Sequence, residues 1–345
     1  MKAWISTTRG VPSASLQLKT DWPQPTAENL KQGDVLVKVT AAALNPLGYQ
    51  MMKLLPNFIA KRPSVPECDF SGVIVDGNGS AFSVGEKVFG SVRPEDAIKF
   101  KQGSLAEYAF LPASTVCKQP ENVTDIEAAG LFSVGLTALG LIETVNLKPG
   151  ETVFINGGSS SVGAAAIQIA KAKGLRVVAT ASGRNEELVR SFGADEFIDY
   201  TKEPLAAYLV KNPPSVKYSA IIDAVGMNNQ TLFFKSEAYL APNGPYITTS
   251  AIPNTMAEFG TVISNMSNIF LRPGFLGGTK RKFTYFVVKP TPAHIEEFTN
   301  YVRQGTVKPF VDSVHNFEDV LKAYEVQMSG RARGKIVVKV DPTVV

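Results

Sequence analysis

Residues 152–173 read TVFINGGSSSVGAAAIQIAKAK. The β-prone run Thr152-Val153-Phe154-Ile155 meets a turn of small residues, after which Val162, Ala165, Ala166, Ile169 and Ala170 recur at helical spacing. The stretch therefore reads as strand, tight turn and helix. With Gly157, Gly158, Ser159, Ser160, Ser161 and Gly163 the turn carries no bulky side chain, so a ligand can approach its backbone closely. Amides that open a helix lack internal partners, and the helix N-terminus favours an anion, so the stretch predicts a site for a dinucleotide pyrophosphate. The turn departs from G-x-G-x-x-G at its middle position, where Ser160 stands, and small residues serve packing alone in many such turns. The surrounding pattern has to decide.

Outward from this stretch, strands and helices alternate. Asp125 is expected to cap a helix running through Leu131, and residues 136–145 continue helical until Lys148-Pro149-Gly150. Beyond the turn, residues 176–181, 196–199, 219–223 and 246–249 are expected strands, and 185–192, 205–210 and 230–240 expected helices. Repeated βα units imply a parallel sheet flanked by helices, the context a nucleotide turn needs. Residues 251–283 carry a stripe of Met256, Phe259, Val262, Ile263, Met266, Ile269 and Phe270, read as a packed helix. A strand at 285–288, a helix at 293–303 and a strand at 335–340 complete the C-terminal region.

Residues 1–126 read as β-rich and irregular. Val35, Val37 and Val39 alternate with Leu36, Lys38 and Thr40, and further strands are expected at 2–6, 16–19, 70–75, 87–89 and 105–111. Proline and glycine at Pro23, Pro25, Pro46, Pro63, Pro66, Gly77, Gly79 and Gly85 argue for many turns, hence a compact barrel-like domain.

Composition narrows the function class. A chain of 345 residues suggests two domains, and 44% hydrophobic with 19% charged residues describes a soluble globular protein. The net charge of +4 is mild and no run of basic residues interleaves with aromatics, which argues against nucleic-acid binding. Cys68 and Cys117 cannot supply a disulfide framework. There is no leader-like N-terminus and no apolar run of about 20 residues, so the expectation is a cytoplasmic protein without a membrane span.

Several motifs in order carry a resemblance. They are Ala43-Leu44-Asn45-Pro46, Pro66-Glu67-Cys68-Asp69-Phe70-Ser71-Gly72, Gly103-Ser104-Leu105-Ala106-Glu107-Tyr108, Gly135-Leu136-Thr137-Ala138, the glycine turn, LVRSFGADEFIDY at 188–200 and GRARGKIV at 330–337. Together they resemble the medium-chain dehydrogenase/reductase superfamily, in its zinc-independent quinone oxidoreductase and enoyl reductase branch. The resemblance implies an α/β fold in two parts. A GroES-like β-barrel catalytic domain would span 1–126 and be completed by 291–345. A Rossmann doubly wound parallel sheet would span 127–290, with ligands at the carboxyl ends of its strands and the substrate in the cleft between domains.

Zinc is a question of ligands. A catalytic zinc needs thiolate and imidazole groups, and a structural zinc of the related alcohol dehydrogenases needs four cysteines. Here His294 and His315 lie in the C-terminal region, only two cysteines exist, and Asn45 or a neighbour stands where zinc relatives carry a ligand cysteine. No metal is expected. Cys68, between Glu67 and Asp69, is read as a packed thiol, because neighbouring carboxylates raise a thiol pKa.

The cofactor follows from the second strand of the sheet, which ends Ala179-Thr180-Ala181-Ser182-Gly183-Arg184. No acid stands there to hold ribose hydroxyls, whereas Ser182 and Arg184 suit a 2′-phosphate, so NADPH is expected over NADH. The resemblance adds Tyr200, at that phosphate or at the adenine. It implies that Gly157, Ser159, Ser160, Ser161, Val162 and Gly163 cradle the pyrophosphate; Ser160 departs from the glycine pattern, and its hydroxyl is read as an extra donor, the sign of its effect to be decided by Ser160→Gly. The resemblance places Asn45, Thr137, Val225, Gly226, Thr249, Ser250, Gly334 and Lys335 at the nicotinamide end.

Without a metal to polarise a carbonyl, the implied reaction is hydride transfer to a conjugated acceptor: an enone, 2-enal, enoyl thioester or quinone. Asn45, Tyr49 and Thr137 are the residues nominated for that chemistry, Tyr49 as a phenol donor or a packed ring. The family pattern Asn-Pro-x-Asp is broken here, since Asn45-Pro46-Leu47 is followed by Gly48. Together with Ser160 this allows a rival reading, a nucleotide-binding scaffold or interaction protein with little catalysis. A homodimer through the sheet edge near residues 285–288 is a further expectation of the resemblance.

Overall fold

The computed structural model describes residues 1–226, 230–249, 256–271, 276 and 278–344. Ser250 lies outside the described residues, as do the side chains of Met256, Phe259, Val262, Met266 and Phe270. The chain forms two units, one of Met1–Val134 with Pro290–Val345, the other of Gly135–Lys289.

The first unit contains β1 (Ala3–Ser6), β2 (Leu16–Lys19), β3 (Asp34–Ala43), β4 (Asp69–Asp76), β5 (Lys87–Ser91), β6 (Tyr108–Pro112) and β7 (Val116–Lys118). The second contributes β8 (Thr152–Asn156), β9 (Arg176–Ala181), β10 (Glu196–Asp199), β11 (Ala220–Asp223), β12 (Pro245–Thr249) and β13 (Lys282–Phe286). The C-terminal segment returns to the first unit with β14 (Val311–Asn316) and β15 (Lys335–Lys339).

The long strand β3 is the spine of the first unit. Its sheet runs β14-β15-β3-β4-β5-β7, with β6 pairing the first half of β3 and β15 its last residues, Val337 opposite Ala43. The C-terminal strand thereby completes a sheet begun by the N-terminus. Val35, Val37 and Val39 enter the core as their alternation predicts, but Leu36 is buried too, and only Lys38 in this run faces water.

The irregular stretches of this unit contain helices that the sequence reading did not anticipate, Pro46–Leu54 and Pro94–Phe100. Each begins with a proline in its first turn, where the missing N–H costs nothing and the fixed φ suits a helix, so a residue read as a turn signal is a helix start. The helix Val320–Met328 and strand β14 were likewise unread. The helix Asp125–Ala129 is capped by Thr124, not Asp125: Thr124 and Glu127 form a reciprocal capping box.

In the second unit all strand pairs are parallel, in the order β10-β9-β8-β11-β12-β13. Numbered from β8, this is the 3-2-1-4-5-6 order of a Rossmann sheet, with its topological switch between β8 and β11. Phe154, Ile155, Ile221, Ile222 and Ile247 are fully buried, as expected of central strands covered on both faces. Two expected elements shift. The helix at 230–240 is broken into Thr231–Phe234 and a tighter turn Ser236–Ala238, so that Tyr239 turns inward and bonds the Leu232 carbonyl. The last strand lies at Lys282–Phe286 instead of 285–288: the β-prone run 282–288 has no internal stop, and pairing with β12 sets its limits. No helix among the described residues is long and apolar enough to cross a membrane.

Candidate active site

The glycine turn follows β8 and opens the helix Ser161–Ala172. Gly157 has φ +88°, a left-handed conformation that favours glycine, and a Cβ there would meet Val225 Cγ2 at 2.7 Å. A Cβ on Gly163 would lie 2.1 Å from the Gly157 carbonyl oxygen, so both glycines are needed for the backbone to fold this tightly. The amides of Ser161 and Val162, first in the helix, have no acceptor within it, as is general for the opening turn of a helix.

Ser160 has a different role from the one expected. It is the helix N-cap: its hydroxyl donates to the Gly157 carbonyl at 2.8 Å and accepts from the Gly163 amide at 3.0 Å. The single hydroxyl proton is engaged inside the turn and not offered to a pyrophosphate. Ser160→Ala is expected to lower stability by about 1 kcal/mol, measurable by denaturant unfolding.

A buried polar network that sequence reasoning missed supports the turn. Asn156 donates to Asp223 at 2.8 Å across the switch point and accepts from Thr180 at 2.7 Å, and Thr180 in turn accepts from the Gly157 amide. Asp223 also accepts from Tyr246 and from the Val225 and Gly226 amides. Burial pushes the Asp223 carboxyl and the Tyr246 phenol up from their ordinary values.

At the end of β9, the buried Asn185 amide donates to Ser182 at 3.1 Å and Ser159 at 3.3 Å, tying the glycine turn to the next loop. Its Oδ1 is buried without a partner. Arg184 is exposed beside it, and Tyr200, following β10, is 48% exposed. No acid stands in the strand end 179–184 itself, as read, but Asp199 reaches this loop from β10. It accepts from the Thr201 amide and hydroxyl, and its other oxygen lies against Gly183, whose amide also bonds it. The carboxylate orders the turn that carries Arg184. Thr249 ends β12 half-buried, and Thr137 lies half-buried on the helix Phe132–Val145.

The first unit holds a second polar assembly. The Lys335 ammonium, nearly fully buried, donates to Asn45 Oδ1 at 2.7 Å and to Asp69 at 3.2 Å. Asp69, wholly buried, also accepts from Asn45 Nδ2 and from the Ser133 hydroxyl. Gly334, with φ +96° and Phe310 O where its Cβ would stand, turns the chain so that Lys335 points inward. Beside them Glu67 accepts from the Asn45 amide at 3.0 Å and the Tyr324 hydroxyl at 2.7 Å. Burial pushes the Glu67 carboxyl up to about 7, against the opposing pull of those bonds and Lys335. The Cys68 thiol is driven well up by burial and then by Glu67 and Asp69, which leaves it a poor nucleophile. Tyr49 packs half-buried against the core of this unit, with the Lys53 ammonium over its ring.

Among the described residues no three His, Cys, Asp or Glu side chains converge to hold a metal, and the Asn45 oxygen is bound to a lysine.

Residues 31–121 match the alcohol dehydrogenase GroES-like domain family, and residues 192–338 a family described as zinc-binding dehydrogenase. A trans-enoyl reductase of Aspergillus terreus is 35% identical over 357 aligned residues, covering 99% of this chain and 97% of the relative. The chain belongs to the medium-chain dehydrogenase/reductase family. Within it the likeness runs to the quinone oxidoreductase and enoyl reductase branch. A medium chain reductase of Acremonium is 32% identical over 99% of both chains. The quinone oxidoreductase of Coxiella burnetii superposes with a TM-score of 0.81 at 28% identity over 99% of both chains. The GroES-like match falls within the first unit, and the second unit carries the Rossmann strand order.

The motif Pro66-Glu67-Cys68-Asp69 carried more than the sequence reading drew from it. That reading weighed only the thiol, whereas the flanking carboxylates organise the assembly. Asn185, Asp223 and Tyr324 gave no local signal, since their partners are distant in sequence.

Proposed function

We propose that the protein is an NADPH-dependent, zinc-independent reductase of conjugated acceptors, with enoyl thioesters and enones favoured over quinones. The observation that carries this reading is the phosphate-ready turn followed by Ser182 and the exposed Arg184, in a chain similar along its length to a trans-enoyl reductase. Bound NADPH supplies the hydride. The Ser161 and Val162 amides would hold its pyrophosphate, and Ser182, Arg184 and Tyr200 its 2′-phosphate. Asn45, Tyr49 and Thr137 remain the residues offered to the nicotinamide and the acceptor, and Gly226, Thr249 and Ser250 to the nicotinamide ribose. A developing enolate oxygen is stabilised by hydrogen-bond donors, and its carbon takes a proton from water or a phenol.

Arg184→Ala is expected to weaken NADPH binding by roughly tenfold to a hundredfold, the loss of a charge-assisted bond, while leaving NADH binding unchanged. Fluorescence titration with both coenzymes checks it. An equal loss for both would assign Arg184 a purely structural part.

A further inference from the structure

The break in the Asn-Pro-x-Asp pattern at Gly48 has a structural counterpart. Asn45 is the N-cap of the helix Pro46–Leu54 yet makes no side-chain capping bond, because its amide group is turned to Lys335 and Asp69. Position 48 is the third helical residue, from which a carboxylate ordinarily reaches back to the N-cap amide. Here it is glycine, and the acceptor for the Asn45 amide is Glu67 Oε2. The Glu67 carboxyl lies directly on Gly48: a Cβ at 48 would stand 1.9 Å from Oε1 and 2.5 Å from Cδ. Glu67 itself has φ +65°, a conformation that favours glycine. Each position thus holds the residue the other would accommodate.

We propose that positions 48 and 67 form a coupled pair, in which Glu67 supplies across space the capping carboxylate that the helix lacks and acts as a positioning residue that seats Asn45 against Lys335. The inference rests on the reading of Asn45 and Lys335 as site residues. The groups that face Glu67 are the Asn45 amide, the Tyr324 hydroxyl, the Lys335 ammonium, the Asp69 carboxylate and the Cys68 thiol. With Glu67 ionised, Lys335 faces two carboxylates. With it protonated, Lys335 and Asp69 balance one to one, and the grip on the Asn45 amide weakens because the bond is no longer charge-assisted.

The test is a double-mutant cycle on the full chain with Gly48→Asp, Glu67→Gly and both together, read by melting temperature, and Glu67→Gln read against pH. Each single variant is expected to melt lower by about 5 °C or more, through collision in the first and orphaned buried donors in the second. The double variant is expected to recover at least half of the summed loss. In kcat/KM for an enoyl thioester, the wild type is expected to rise with pH through about 7, and Glu67→Gln to be flat there. A double variant no more stable than the weaker single one overturns the pairing. An unchanged inflection in Glu67→Gln overturns the positioning role.

Should the wild type reduce no acceptor, the proposed function fails while the cycle still decides the pair. The pH arm is then read from stability. Glu67 has a folded pKa of about 7, above the ordinary 4.5, so its contribution is complete below 4.5 and lost as pH rises through 7. The wild type should therefore lose melting temperature relative to Glu67→Gln between pH 5 and 8, and parallel curves contradict the assignment.

Discussion

Lys335→Met is expected to destabilise the protein by about 3–5 kcal/mol, the cost of leaving a buried charge without its partner. Asp69 is wholly buried, and Lys335 is its only cationic contact among the described residues. Removal of the ammonium leaves Asp69 with the Asn45 amide and the Ser133 hydroxyl, neutral donors that do not balance a carboxylate out of water. Denaturant unfolding checks the value. Adding Asp69→Asn to Lys335→Met is expected to restore a large part of the loss, since it removes the orphaned charge. If Lys335→Met alone is tolerated within about 1 kcal/mol, the assembly is wetter than its burial indicates.

Gly163→Ala is expected to act on the other unit with comparable force. The added Cβ would meet the Gly157 carbonyl oxygen at 2.1 Å and the Gly158 Cα at 3.0 Å, and these backbone atoms cannot rotate away as a side-chain tip can. The turn has to open, which costs about 2–3 kcal/mol and displaces the Ser161 and Val162 amides from the place proposed for the pyrophosphate. A fall of roughly a hundredfold in kcat/KM for NADPH is expected, the scale on which small misplacements act. Stopped-flow or steady-state kinetics beside an unfolding curve separates the two effects.

The Rossmann half was legible because each of its central strands is a short apolar run closed by a turn, as in Val153-Phe154-Ile155, and parallel strands buried on both faces leave that signature. The GroES-like half was less legible. Pro46 and Pro94 serve there as first-turn residues of helices, a use that the composition of a turn does not distinguish. The glycine turn was readable as strand, tight turn and helix, but the role of Ser160 was not, since a hydroxyl at an N-cap satisfies the helix before it reaches a ligand. The charged assembly was hidden for a topological reason. Lys335 lies 290 residues from Asn45, and Tyr324 lies 257 from Glu67, so the return of the C-terminal segment to the first unit brings them together. Glu67 and Gly48 each look like an accident alone and become intelligible as neighbours.

The central claim is tested most directly by following NADPH and NADH oxidation with a trans-enoyl thioester, with and without a chelator. The account predicts acceptor-dependent oxidation of NADPH, a preference for NADPH over NADH of about tenfold or more in kcat/KM, and no loss on chelation. Equal efficiency with both coenzymes, or activity that disappears with the chelator, would contradict it.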